Sequence, residues 1–197
     1  MNDLTYCVVD VELDGPTPGE NSMLSLACSA CGEDGAEIDS FERNLERLPG
    51  AAPAPEVAAW WQGQAEAWAH ITADPEAPKA VMADFVAWLA ALPGRQVLAA
   101  HPLMLDGLWI DWYLRRFADL RVFEGPFPGS SPFAGPGIDI PSFAQAALGL
   151  PYVETRPDYP PEFLGGIAHS HKPLEDARGH AALYFFARRR LQEIWAG

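Results

Sequence analysis

The sequence predicts an α/β domain, and three observations carry the prediction. From Leu4 to Asn44, three short strand-like segments, the first two of them apolar, follow one another with turn residues between them, the pattern of a strand meander. Segments of helical period then alternate with one short apolar run, Val97-Leu-Ala-Ala-His101, as expected where helices and strands share one body. At 197 residues, with 49% hydrophobic side chains that include 10 Phe, 7 Trp and 5 Tyr, the chain suffices for one domain with a sizeable core. Residues 1–197 are therefore read as a single domain, without internal repeat or linker.

Taken in order, Leu4 to Val11 is apolar and rich in β-branched residues, a buried strand running into Asp10-Val11-Glu12. Residues 13–21 are a turn by composition. Met23 to Ala30 is a second strand, Gly32-Glu-Asp-Gly35 a turn, and Glu37 to Asn44 a third strand. After a Pro- and Ala-rich stretch, Glu56 to Gln62 is helical and carries Trp60 and Trp61. A clearer helix is expected from Asp74-Pro75-Glu76, with Asp74 as N-cap and Pro75 in the first position. Val81, Phe85, Trp88 or Leu89, and Leu92 recur there at helical spacing until Pro93-Gly94. The strand Val97 to His101 leads to a helix over roughly 104–117. Residues 119–141 are rich in Gly, Pro, Ser and Phe and read as an excursion ending in the short strand Ile138-Asp139-Ile140. A small helix at Pro141 to Leu148 follows. Residues 151–170 show no period, and loops of that length are uncommon unless functional or disordered. A closing helix spans Pro173 to about Trp195, with Leu174, Ala177, Ala181, Tyr184, Leu191 and Trp195 along one face.

Charge and cysteine usage narrow the function. A formal charge of −14, from 13 basic and 27 acidic residues, argues against loose adhesion to polyanions but not against a nucleic-acid substrate gripped through metal ions. Cys7, Cys28 and Cys31 cannot build a disulfide framework, and the single Cys28-Ser-Ala-Cys31 lacks a second pair for zinc; they read as small buried residues in a reducing compartment. No apolar run approaches the roughly 20 residues needed to span a bilayer, so no membrane is expected and the location is read as cytoplasmic.

Four carboxylates and a histidine carry the chemistry. On a strand, residues i and i+2 share a face about 6 to 7 Å apart, so Asp10 and Glu12 can reach one site while Val9 and Val11 pack behind. Asp106 opens a helix on the side of Trp109, Ile110 and Tyr113, facing the body of the domain. Asp111 is turned away by about 140° and is expected to be solvated. Asp176 lies in the first turn of the last helix behind Pro173, and His171 just before it suits a base. Each piece alone fits a solvated acid or a helix cap equally well. Hard divalent ions prefer such oxygen donors, and a pair held about 4 Å apart activates a water and stabilises a leaving oxygen. His169-Ser-His171 has the spacing of a zinc pair, but carboxylates outnumber other donors and favour Mg²⁺ or Mn²⁺. His180 suits a supporting place beside Asp176; His70 and His101 suit surface and strand-end places. Trp60 and Trp61 are either core or a platform for bases, and Gly165-Gly166 suits a hinge for the His171 segment.

Together, Asp10-Val-Glu12, Asp106 and His169-Ser-His171-Lys-Pro-Leu-Glu-Asp176-Ala-Arg-Gly-His-Ala resemble the three motifs of the DEDDh 3'-5' exonucleases. The turn Asp14-Gly-Pro-Thr-Pro-Gly19 is similar to a bacterial and phage branch of that family. The resemblance implies a ribonuclease H-like fold, a mixed five-stranded sheet flanked by helices. It implies two Mg²⁺ or Mn²⁺ ions held by Asp10, Glu12, Asp106 and Asp176, with His171 as general base and Glu12 also sensing the terminal 3'-hydroxyl. The expected reaction is hydrolysis at the 3' end of single-stranded RNA or DNA, releasing nucleoside 5'-monophosphates. Leu13 and Asp14 stand where the family carries threonines against the terminal nucleotide, and Pro102 stands where relatives often carry Asn. Leu13, Asp14 and His101 are the substrate-contacting residues this implies. Two other classes remain: a catalytically silent nucleic-acid-binding or partner-docking module, and a metal-dependent hydrolase of small substrates using His169 and His171. A homodimer is left open.

Overall fold

Strand β1 (Leu4–Leu13) is buried along almost its whole length because it lies at the centre of a sheet covered on both faces. The computed structural model describes residues 3–126, 128–151 and 159–197, so part of the proline-rich 151–170 stretch and Phe127 in the earlier excursion lie outside the described residues. β2 (Met23–Cys31) and β3 (Glu37–Asn44) continue the chain as an antiparallel meander on one side of β1. β4 (Arg95–Ala100) and the two-residue β5 (Ile138–Asp139) add parallel strands on the other, giving the order β3-β2-β1-β4-β5. This is the mixed five-stranded sheet the motifs implied.

The period of two along β1 divides the core. Cys7, Val9 and Val11 face α3 (Pro78–Ala91) and α4 (Leu103–Ala118), packing with Phe85, Trp109 and Tyr113. Tyr6 and Val8 face α5 (Ile140–Leu148) and α6 (Pro173–Ala196), packing with Ile140, Leu183 and Phe185. Asp10 and Glu12 continue this second row, so the strand delivers them to its carboxyl end beside the start of α6. Cys7, Cys28 and Cys31 are free and buried, as their composition suggested. No helix among the described residues is long and apolar enough to cross a membrane.

Several elements depart from expectation. α1 (Pro55–Trp61) is followed by a second short helix, α2 (Ala65–Ile71), whose apolar residues Ala67, Trp68 and Ile71 span only one turn. The next helix starts at Pro78 and not at Asp74, because the Glu76 backbone pairs with Asn44 and Glu46 and prolongs the sheet edge. Asp74 has φ +43° instead of capping a helix. Asp111 is not simply solvated: it binds Arg121 through both oxygens at 2.9 Å and accepts the Val122 N–H, pinning the excursion after α4. Trp195 is 77% exposed because the last turns of α6 extend past the body it packs on. Pro161–Leu164 forms a 3-10 turn, and Gly165 and Gly166 take φ of +65° and +77° to leave it.

Candidate active site

Three segments far apart in sequence meet at the carboxyl end of β1, where parallel sheets commonly place ligand sites. Carboxylate oxygens of Asp10, Glu12 and Asp176 all lie within 4.8 Å of one another. Asp106 stands beside this trio and not in it: it is buried, and its Oδ1 accepts the Val11 N–H at 3.3 Å. Its Oδ2 is buried with no hydrogen-bond partner among the described residues.

Local structure explains each position. α4 starts directly after β4, across the His101-Pro102 cis peptide, with the Leu103 N–H bonded to Asp139 Oδ1 at 2.9 Å. The other Asp139 oxygen caps α5 through the Ser142 N–H, so one carboxylate fixes two helix starts. On α6, Asp176 occupies the first turn and is fully buried as a side chain. It accepts the backbone N–H groups of Ser170 and His171 at 2.8 and 2.9 Å, and His169 Nδ1 lies 3.0 Å from its Oδ2. His171 has φ +56°, a left-handed conformation that lets successive N–H groups converge on one acceptor. The segment expected to hinge at Gly165-Gly166 is thus tied to α6 at its far end.

The charges conflict without a counter-ion. Burial, then Asp106, Glu12 and Asp176, raises the Asp10 carboxyl well above the ordinary range. Burial, then Asp176 and Asp106, pushes Glu12 up to about 9. Burial raises Asp106 to about 7 although backbone N–H groups oppose it. Asp176 moves the other way: burial raises it, but hydrogen bonds from His169 and the Ser170 backbone prevail and lower it. His180, one turn beyond Asp176, is driven down to about 3 by burial and by His101 and is therefore a neutral imidazole. Its Nδ1 is 3.7 Å from Asp10 Oδ1 and its ring stacks on His101 with centroids 4.5 Å apart.

The aromatic pair divides its work. Trp61 is buried and donates Nε1–H to the Leu13 carbonyl at 2.9 Å; Trp60 is 44% exposed and its ring meets the His171 ring in a T-shaped contact, with centroids 4.8 Å apart. The Leu13 carbonyl is thereby engaged. Asp14 is also committed elsewhere than to substrate: it is buried and accepts the Ser22 N–H at 2.6 Å and Arg47 Nε at 2.9 Å, closing the turn after β1. His101 stacks on His180, the neighbour of Asp10. Composition had left two features unread. The Asp139 cap was signalled by Asp-Ile-Pro ahead of a helix, and the His169 contact by His-x-His before the α6 proline.

The residues fit divalent ions. The donor set is all oxygen, its members repel one another, and Asp106 offers an unpaired buried oxygen. Size does not mark the site. A cleft of about 410 Å³, bordered by Gln96, Phe123 and Phe133, shares no residue with the cluster, whereas the space beside His169, Asp176 and His180 is only about 20 Å³.

Comparison with known proteins supports the same fold. Neither a protein-family model nor a curated protein sequence matches the chain. Among solved structures, a zinc-bound E. coli exonuclease I–single-stranded DNA complex superposes with a TM-score of 0.67 at 16% identity, covering 100% of this chain and 42% of that one. Exonuclease I from Methylocaldum szegediense gives 0.62 at 17% identity, over 100% and 43%. The nuclease domain of 3'hExo, a DEDDh family member bound to rAMP, gives 0.60 at 9% identity, over 98% and 92%. The chain has the fold of the DEDDh exonucleases and spans less than half the length of the exonuclease I chains it matches.

Proposed function

We propose that this chain, which shares the DEDDh exonuclease fold, is a metal-dependent 3'-5' exonuclease acting on single-stranded nucleic acid and releasing nucleoside 5'-monophosphates. The observation that carries this reading is the convergence of Asp10, Glu12 and Asp176 within 4.8 Å, with buried Asp106 alongside. Asp10, Glu12, Asp106 and Asp176 would hold two Mg²⁺ or Mn²⁺ ions, which when bound supply charge neutralisation at the phosphate and at the attacking and leaving oxygens.

The chain's own groups do the rest. His171 takes the proton of the attacking water as general base, and the Asp176 carboxylate holds its backbone in place. Neutral His180, backed by His101, fills the space behind Asp10 and keeps bulk water from that carboxylate. Trp60 presents an exposed aromatic face next to His171, where a terminal base can stack whatever its identity. That contact suits a chain whose charge of −14 offers little affinity for phosphates.

The test compares wild type with Asp10→Asn on 5'-labelled single-stranded DNA and RNA. Wild type should shorten the strands with Mg²⁺ or Mn²⁺ present; the variant should not, while any strand binding persists. Binding without cleavage in both proteins would instead identify a silent nucleic-acid-binding module.

A further inference from the structure

We propose that His169, His171 and Asp176 form a second metal site, selective for zinc, whose occupation switches the active site off. This rests in part on the hydrolytic reading, because the switch acts on the base and on a carboxylate assigned to the catalytic ions. The geometry is independent of it. One donor atom from each of the three residues lies within 4.8 Å of the other two, and the imidazole centroids of His169 and His171 are 4.3 Å apart.

Two imidazoles and one carboxylate leaving a fourth position open is the usual donor set of an accessible zinc site. Imidazole nitrogen favours zinc over magnesium, whereas the adjacent Asp10, Glu12 and Asp176 set is all oxygen and favours the harder ion. Tetrahedral zinc needs its donors about 3.3 Å apart. The His169 Nδ1 to Asp176 Oδ2 distance is already 3.0 Å. His171 can complete the set because its left-handed backbone turns the two rings toward each other. His169 can adjust, since its side chain is 55% exposed. A space of about 20 Å³ bordered by His169, Asp176 and His180 adjoins the donors, large enough for one small ligand such as water.

The two sets share Asp176. Zinc at the histidine site would occupy that carboxylate and the His171 ring together, so that the base can no longer accept a proton and the catalytic ions lose one ligand. Zinc bound in this way inhibits and does not substitute for magnesium.

The experiment measures Zn²⁺ binding by equilibrium dialysis in excess Mg²⁺, and the visible absorption of Co²⁺ as a tetrahedral probe, for wild type, His169→Ala and Asp10→Asn. Circular dichroism checks that each is folded. Wild type and Asp10→Asn should bind zinc alike and show the tetrahedral Co²⁺ bands; His169→Ala should bind at least about tenfold more weakly and lose them. In parallel, the zinc concentration that halves Mg²⁺-supported hydrolysis should rise at least about tenfold in His169→Ala, each protein being compared with its own zinc-free rate. Zinc affinity unchanged by His169→Ala, or lost equally in Asp10→Asn, would overturn the site. Zinc that binds through His169 without inhibiting would overturn the switch. If wild type binds zinc through His169 but hydrolyses no strand, the metal site stands and the exonuclease reading fails.

Discussion

At the scale of single residues, the site is a set of carboxyls that burial and mutual repulsion oppose ionising. Glu12 rises from 4.5 to about 9 and Asp106 from 3.8 to about 7, so in the metal-free protein they bind protons that the unfolded chain has released. The sign follows from linkage. Stability from these groups is complete below their ordinary values and falls as pH rises through the folded ones. Thermal unfolding in chelator should therefore show a Tm that declines between about pH 5 and about pH 9, with Mg²⁺ raising it most at the alkaline end. Asp10→Asn should flatten the metal-free profile; a profile already flat in wild type would contradict the crowding. The acids were legible because strand and helix periods set their faces, and His171 because it stands just before the last helix in a motif that resembles a known one. The exchange between His169 and Asp176 was not, since it depends on the positive φ of His171 and on a buried acceptor that no local pattern reveals.

At the scale of elements, the turn after β1 and helix α1 hold the rim of the site. Asp14 was expected to touch substrate, because it stands where the family it resembles carries a threonine, but its carboxylate closes the turn onto Ser22 and Arg47. Asp14→Ala should cost about 1–3 kcal/mol by leaving a buried N–H without its acceptor, read as a fall in Tm. A raised KM with unaltered Tm would return Asp14 to the substrate. Trp60→Ala should weaken single-strand binding by about 1–3 kcal/mol through loss of a stacking face, read as a higher KM or a weaker Kd for a short oligonucleotide. Equal binding by wild type and variant would assign Trp60 solely to support of His171. β1 and β2 were plain in the sequence because burial on both faces makes each a continuous apolar run, β3 because turn residues set off its start, and α4 because burial of one face imposes a period of 3.6. The start of α3 was misplaced because Asn44 and Glu46 capture the Glu76 backbone, a pairing between residues distant in sequence. α2 escaped notice because its apolar stripe, Ala67, Trp68 and Ile71, is only one turn long.

At the scale of the whole molecule, an antiparallel meander brings the first acids to the middle of the sheet, and the parallel return of β4 places the Asp106 helix at the same end. α6 then packs across β1 and β2 and supplies Asp176, with His171 on the segment just before it. The mixed sheet is thus the means by which three sequence segments form one site. Neither composition nor the small cavity would have located it, and the cleft of about 410 Å³ beside Gln96, Phe123 and Phe133 lies elsewhere. The central claim is hydrolysis from the 3' end by that site, and the most direct measurement is product analysis on matched single-stranded RNA and DNA with Mg²⁺ and with Mn²⁺. The account expects strands to shorten stepwise from the 3' end with nucleoside 5'-monophosphates as the released product, and no release in chelator. Intact strands in Mn²⁺, or release of nucleoside 3'-monophosphates, would contradict it.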